Sequence, residues 1–347
     1  MTAPTLRQFR LKIIKAILLV RKAFRFFVPT ASMGIAWAVV GIFALANLIW
    51  FRFSRLEFAP NTMQELVKAS ATLMATALVA PLVRFRLAAD SSRIANFIRK
   101  CARGLTLLVF AGSLILPLVF MGVLFEYLAT SAGMPLLDSS LNAIDRAMGF
   151  DWYSFFAMAN ARPAVSTVFV FAYWSTGPVL LGALFILCFR GDVYRLSEFL
   201  AVLALCSLCT GVLMVLVPAA GAFTQHAPVA DMFSRWPFFR TFQALRSDAI
   251  PIVDYSKSEG LVTFPSFHTV LAIITAYALR DLRILFWIIL ALNSLVIVST
   301  LPEGGHYLVD VIAGILVAAV SIIIVAAADA RTGGRYACGM ASDEGLL

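Results

Sequence analysis

Charge is what this chain has least of. Asp, Glu, Lys and Arg make up 14% of its 347 residues, against about 25% in soluble domains. A surface so poor in charge cannot face water all round, which excludes an ordinary soluble domain. Acids are the scarcer sign, 19 against 28 Lys and Arg, leaving a net charge of +9. The bases stand in short blocks beside apolar runs, a distribution that speaks for membrane orientation and against a nucleic-acid partner. Cysteine is limited to five, Cys101, Cys188, Cys206, Cys209 and Cys338. Cys206 and Cys209 have no second pair to complete a zinc site, so all five read as packing residues. Histidine is limited to three, and there is no repeat of fixed period and no low-complexity tract.

What the chain has in abundance is apolar length. It is 61% hydrophobic with a mean hydropathy of +0.90. A bilayer crossing needs about 20 mostly apolar residues, and about eight stretches qualify, near 31–51, 64–83, 105–127, 164–189, 197–218, 265–279, 284–300 and 307–328. The second carries Glu65 and Lys68, one turn apart and able to pair. The sixth is short, and its expected helix extends backward into the polar segment before it. The fold class expected is therefore all-α, a polytopic membrane protein of about eight transmembrane helices.

Charge then orients the helices. Residues 1–29 hold Arg7, Arg10, Lys12, Lys15, Arg21, Lys22 and Arg25 and no acid. Arg21, Lys22 and Arg25 interrupt any signal-peptide core, so this segment reads as a basic amphipathic helix on an anionic inner leaflet. Connection 84–104 carries Arg84, Arg86, Arg93, Arg99, Lys100 and Arg103. Further bases stand at Arg190, Arg195, Arg280, Arg283, Arg331 and Arg335. Threaded through eight crossings, all these segments fall on one side, which the positive-inside rule makes cytoplasmic, with both termini. The long connections 128–163 and 219–264 then face outside, the periplasm or a lumen. Within the first, Leu141, Ile144 and Met148 recur at helical spacing and predict an interfacial amphipathic helix, an anchor or a lid.

The histidines fall on the outer side in this threading. His268 stands in Phe264-Pro265-Ser266-Phe267-His268, where Pro265 and Ser266 mark a helix start and Ser266 is the expected N-cap. His306 follows Gly304-Gly305, which permits close backbone approach, and precedes Asp310 by four residues, one helical turn. An acid so placed fixes the imidazole tautomer and leaves the other ring nitrogen free to attack. A helix start binds phosphate through free N–H groups and the positive end of the dipole. Two such histidines suit phosphoryl transfer, one as nucleophile and one as general acid. A histidine merely capping a helix beside an acid remains the alternative for either site alone. His226 has no obvious partner and reads as a loop residue.

These motifs, FPSFH at 264–268 and STLPEGGHYLVDVIAG at 299–314, resemble the type 2 phosphatidic acid phosphatase superfamily. Within it they are similar to the branch containing inositol phosphorylceramide synthases, whose second motif ends in His-Tyr. The resemblance implies a six-helix lipid-phosphatase-like core over 105–328, preceded by the basic segment 1–30 and two accessory helices in 31–104, and followed by a tail 329–347. It also implies a phosphohistidine mechanism on a phospholipid or lipid phosphate, without metal or other cofactor. His306 becomes the nucleophile, Asp310 its orienting acid and His268 the general acid. Ser266, Gly305 and Tyr307 join the substrate site, and a lipid alcohol becomes a candidate acceptor.

Three features depart from the superfamily pattern. Phe267 replaces a glycine, Thr300 replaces a phosphate-binding arginine, and the upstream Lys-x6-Arg-Pro motif is missing. Arg235, Arg240, Arg246 and Lys257 are the loop cations available to replace them, with Arg246 favoured. Glu303 reads as an exposed acid, and Gly221, after Pro218, as a point of close headgroup approach. A transporter would place polar residues along the spans or break paired spans near mid-bilayer, and neither pattern is present. A non-catalytic membrane scaffold would not need both histidines and the aspartate.

Overall fold

A computed structural model describes residues 30–233, 236–247, 252–257 and 260–331. The basic segment 1–29, Arg235, and the tail with Arg335 and Cys338 lie outside the described residues. The chain is an all-α membrane protein. Among the described residues seven helices are long and apolar enough to cross a bilayer: α1 (Ala31–Phe51), α2 (Thr62–Arg86), α3 (Arg93–Ser131), α6 (Pro163–Arg190), α7 (Val193–Leu216), α11 (Arg283–Glu303) and α12 (Leu308–Arg331). Between them lie the shorter helices α4 (Asp138–Ala147), α5 (Trp152–Asn160), α8 (Ala227–Phe233), α9 (Pro237–Leu245) and α10 (Phe267–Ala278). Glu57–Phe58 and Ile252–Val253 pair as two short parallel strands.

The centre of the bundle is α7. Its Leu196, Leu200, Ala201, Ala204 and Cys206 are fully buried, and α1, α3, α10 and α12 pack around it. Facing the lipid instead are side chains such as Leu48, 74% exposed, and Trp174, 72% exposed, which only hydrocarbon would cover. Pairing along the sides follows the sequence: α2 lies on α3, and α10 packs against α6, α7, α11 and α12. Lys68 reaches Glu65 at 2.8 Å near the start of α2.

Both ends of the bundle can be read from contacts. The Ser32 amide, at the start of α1, donates to Asp329 Oδ1 near the end of α12 at 3.1 Å. The first and last described spans thus meet at one end, and α10 is a shorter apolar helix of 12 residues between them. At the same end Glu198 accepts from Arg195 at 3.0 Å, from Arg280 at 2.8 Å and from the Tyr277 hydroxyl at 2.9 Å. Gly191 lies against Arg103, and Gly104 against Phe189. The described basic segments around Arg103, Arg195 and Arg280 therefore gather at one end of the bundle. The two histidine motifs lie at the other, where α10 and α12 begin.

Several expectations need correction. Connection 84–104 is largely helical, because α3 starts at Arg93 with Ser92 accepting from the Ala95 amide, and it runs 39 residues. The sixth span does not extend backward: α10 is 12 residues long and begins after Pro265 and Ser266. The amphipathic helix expected in 128–163 is present as α4, but its buried face carries acids. α4 turns Asp138, Leu141 and Asp145 inward and leaves Ile144 and Met148 exposed.

Glu198 is 4% exposed and holds two guanidiniums that are 18% and 25% exposed. Removing one partner of a buried ion pair strands the other. Glu198→Ala should cost about 3 kcal/mol, read as a lowered melting temperature in detergent, while Leu48→Ala should leave it near wild type. An unchanged midpoint in Glu198→Ala would show the guanidiniums reach solvent.

Candidate functional site

The second histidine motif sits in a tight turn between two spans. α11 ends at Glu303, and the amides of Gly304 and His306 both donate to the Thr300 carbonyl, at 3.0 and 3.3 Å. A Cβ on Gly304 would stand 2.7 Å from His306 Cδ2 and 2.8 Å from that carbonyl, so only glycine lets the ring fold back here. Gly305 has φ +63, a left-handed conformation that glycine adopts freely. Its carbonyl accepts from the Ala222 amide at 2.8 Å.

His306 therefore precedes α12 rather than lying on it. Asp310 still reaches it. Asp310 Oδ2 stands 3.3 Å from His306 Nδ1 and accepts from the Tyr307 amide at 2.9 Å. This is the reciprocal half of a capping box, an acid at the third helical position bonding the amide just before the helix. With its proton on Nδ1, the imidazole donates to Asp310 and keeps the Nε2 lone pair free. Burial lowers the His306 pKa to about 4, although the nearby Thr263 carbonyl favours the protonated ring, so the ring is a neutral base near pH 7.

His268 occupies the first turn of α10. Its ring stacks on Tyr173 of α6, centroids 4.3 Å apart, and lies close enough to His306 to feel its charge. Tyr173 also borders Gly304: a Cβ there would stand 3.2 Å from Tyr173 Cε2. Tyr173 thus stacks on the His268 ring and also borders Gly304, the residue packed against the His306 ring. The motifs are drawn together where α10 crosses α12. The Ser266 amide donates to the Asp310 carbonyl at 3.0 Å, and a Cβ on Gly314 would come within 2.6 Å of the Ser266 carbonyl.

Other expected site residues are placed differently. Ser266 holds the N-cap position, but its side chain makes no capping bond and accepts from Thr269 Oγ1 at 3.1 Å. The first amides of α10 are left without a side-chain cap beside His268. Tyr307 is fully buried, its hydroxyl donating to Asp138 Oδ1 at 3.1 Å. Arg246 donates to the Met134 carbonyl at 2.8 Å and lies over the Phe242 ring. It borders a groove of about 580 Å³ with Asp138, Thr224, Gln225 and Gln243, and it makes no contact with either imidazole. Arg240 is exposed, and Lys257 stands 3.9 Å from Asp254. Ser299 and Thr300 turn their hydroxyls onto their own helix, to the Val296 and Ile297 carbonyls, both at 2.7 Å.

Glu303 is half-buried rather than exposed. Gly221, at φ +128, serves a close approach of backbone to backbone: a Cβ there would meet the Phe223 ring at 2.5 Å and the Gly305 carbonyl at 3.2 Å. His226 stacks on Trp152 and Tyr153, and burial lowers its pKa despite the nearby Asp151.

Sequence reasoning missed three residues around the turn: Tyr173, Asp138 and Asp145. Tyr173 carries no sequence signal, being one aromatic among many in an apolar span. The two aspartates were readable, since positions seven apart share a helix face, but attention to the apolar residues hid them. Both are buried.

A family model described as the PAP2 superfamily matches residues 139–324, a stretch that contains both histidines and Asp310. No curated protein and no solved structure matches the chain. Because that family match extends over more than half of the chain, the protein belongs to the PAP2 superfamily, whose members are phosphatases or phosphotransferases.

Proposed function

We propose that this chain is an integral membrane phosphotransferase that moves a phospho-headgroup from a phospholipid to a lipid alcohol through a phosphohistidine, at the non-cytoplasmic face. The observation that carries the reading is the pairing of His306, held by Asp310, with His268 across Tyr173. His306 Nε2 attacks phosphorus and the bond to the leaving oxygen breaks. That oxygen takes its proton from His268. In the second half His268 takes the proton of the incoming hydroxyl, whose oxygen displaces His306 from phosphorus. Water in place of the alcohol gives hydrolysis by the same steps.

Three observations support transfer. Thr300 stands where the superfamily pattern has an arginine, and its hydroxyl is used within its own helix, which leaves the open amides at the start of α10 to receive phosphate oxygens. The second motif carries His306-Tyr307, as in the inositol phosphorylceramide synthase branch it resembles. Depth is the third. Twelve residues of helix rise about 18 Å, against a hydrocarbon core of about 30 Å. With Arg280 at the basic end, His268 sits below the opposite surface, where lipid hydroxyls are at hand and water is scarce. The face follows from the positive-inside rule applied to the basic end.

His306→Ala and His268→Ala should each abolish turnover of a phospholipid offered with a lipid alcohol, while His226→Ala should retain it. Full activity in His306→Ala removes the covalent mechanism. In a background without native cysteines, an impermeant thiol reagent added from outside should label Ala227→Cys and not Asp90→Cys; the reverse inverts the orientation.

The lowered pKa of His306 has a sign that can be checked. The folded state prefers the neutral ring, so its contribution to stability is present above the ordinary value of about 6.5 and lost as pH falls through about 4. On a phosphodiester lipid, the acid limb of kcat/KM attributable to His306 should fall near pH 4. A limb near 6.5, removed by substituting His306, would show the ring to be solvated.

A further inference from the structure

The buried face of α4 does not resemble a lid or an anchor. Its two inward carboxylates stand at positions seven apart and are 4% and 1% exposed. Asp145 Oδ2 accepts from the Leu308 amide at 2.7 Å and Oδ1 from the Val309 amide at 2.9 Å. These are the first two residues of α12, whose amides have no partner within their own helix. Asp138 accepts from the Ala220 amide at 3.0 Å, from the Gly221 amide at 2.9 Å and from the Tyr307 hydroxyl at 3.1 Å. The next amide, Ala222, holds the Gly305 carbonyl at 2.8 Å. His306 is thus bracketed: Gly305 is tied to the 220–222 turn, Tyr307 and the 220–222 turn to Asp138, and the start of α12 to Asp145.

We infer that Asp145 and Asp138 are positioning residues of the reaction, a two-carboxylate brace on α4 that sets where His306 and Asp310 stand. The inference rests on the proposed phosphohistidine reading for its effect on rate, and on geometry alone for its effect on the imidazole. A helix start held only by its own turn could rotate or fray. A backbone slip of this kind moves the His306 ring relative to His268, and a 1 Å misplacement can cost about 100-fold in rate. The bidentate arrangement at Asp145 is selective. An asparagine keeps one accepting oxygen and turns an NH2 donor toward the other amide. A glutamate keeps both oxygens on a longer stem.

Three histidines make the imidazoles countable. In protein labelled with 15N-histidine, the His306 ring signals are those lost in His306→Gln. In Asp145→Asn these signals should move while those of His226 hold. The same variant should lose about 10- to 100-fold in kcat with KM within about threefold, and Asp145→Glu should recover part of the loss. Should Asp145→Asn fail to fold, Tyr307→Phe removes only the hydroxyl bond to Asp138 and should give smaller changes of the same kind. A folded Asp145→Asn with wild-type ring signals and wild-type kcat overturns the brace, as does a Tyr307→Phe without effect where Asp145→Asn does not fold. If the wild type turns over no phospholipid, the functional reading fails and the ring signals alone decide the brace.

Discussion

The first turn of α12 is the point on which the site depends. Its free amides fall to two carboxylates from different parts of the chain. Asp310 reaches back to the Tyr307 amide and the His306 ring, and Asp145 crosses from α4 to Leu308 and Val309. Backbone N–H groups buried without partners are costly, so these bonds decide how the chain enters its last span. The imidazole is oriented as a consequence. A groove-facing residue such as Arg246 could change without moving the ring; the start of α12 could not.

Membrane burial explains why the charged contacts divide between the two ends. Within the hydrocarbon, helices satisfy their own backbones, and side chains pack through Leu, Ala and Val around α7. Charged networks stand where spans begin and end, while within the bundle Asn293 donates to the Ala272 carbonyl and to Thr275 Oγ1. One end holds Glu198 among Arg195, Arg280 and Tyr277, and Asp329 against Ser32. The other holds the histidine motifs with Asp138 and Asp145. The first is built from charges of both signs and fastens the bundle. The second pairs carboxylates with amides and one imidazole and keeps the Nε2 base unencumbered by ion pairing, which suits a site where charge arrives with the substrate.

The spans were legible because apolar length is a property of consecutive residues. Stretches 31–51, 164–189, 197–218, 284–300 and 307–328 lie within or beside α1, α6, α7, α11 and α12 to within a few residues. The spacing of His306 and Asp310 also carried over, although the histidine precedes the helix. Reading α4 from its apolar residues found the helix and missed its buried acids for a definite reason. Hydrophobic periodicity assumes that the buried face is the greasy one, and here the buried face carries two aspartates whose partners are backbone amides elsewhere. Likewise Ser266 looked like a cap, and it stands at the cap position with its hydroxyl turned to Thr269.

By itself the sequence determined that this chain lives in a bilayer, where its long apolar helices run, and where its histidine motifs stand beside helix starts. Each of those follows from residue type and short spacing. The stacking of His268 on Tyr173 beside Gly304, and the capture of the first amides of α12 by Asp145, were decided only by tertiary structure. Those contacts join residues well over a hundred positions apart on the α4 side and bring three separate spans together on the other. Local pattern holds no record of which helix will lie against which, since that is set by packing of the whole bundle.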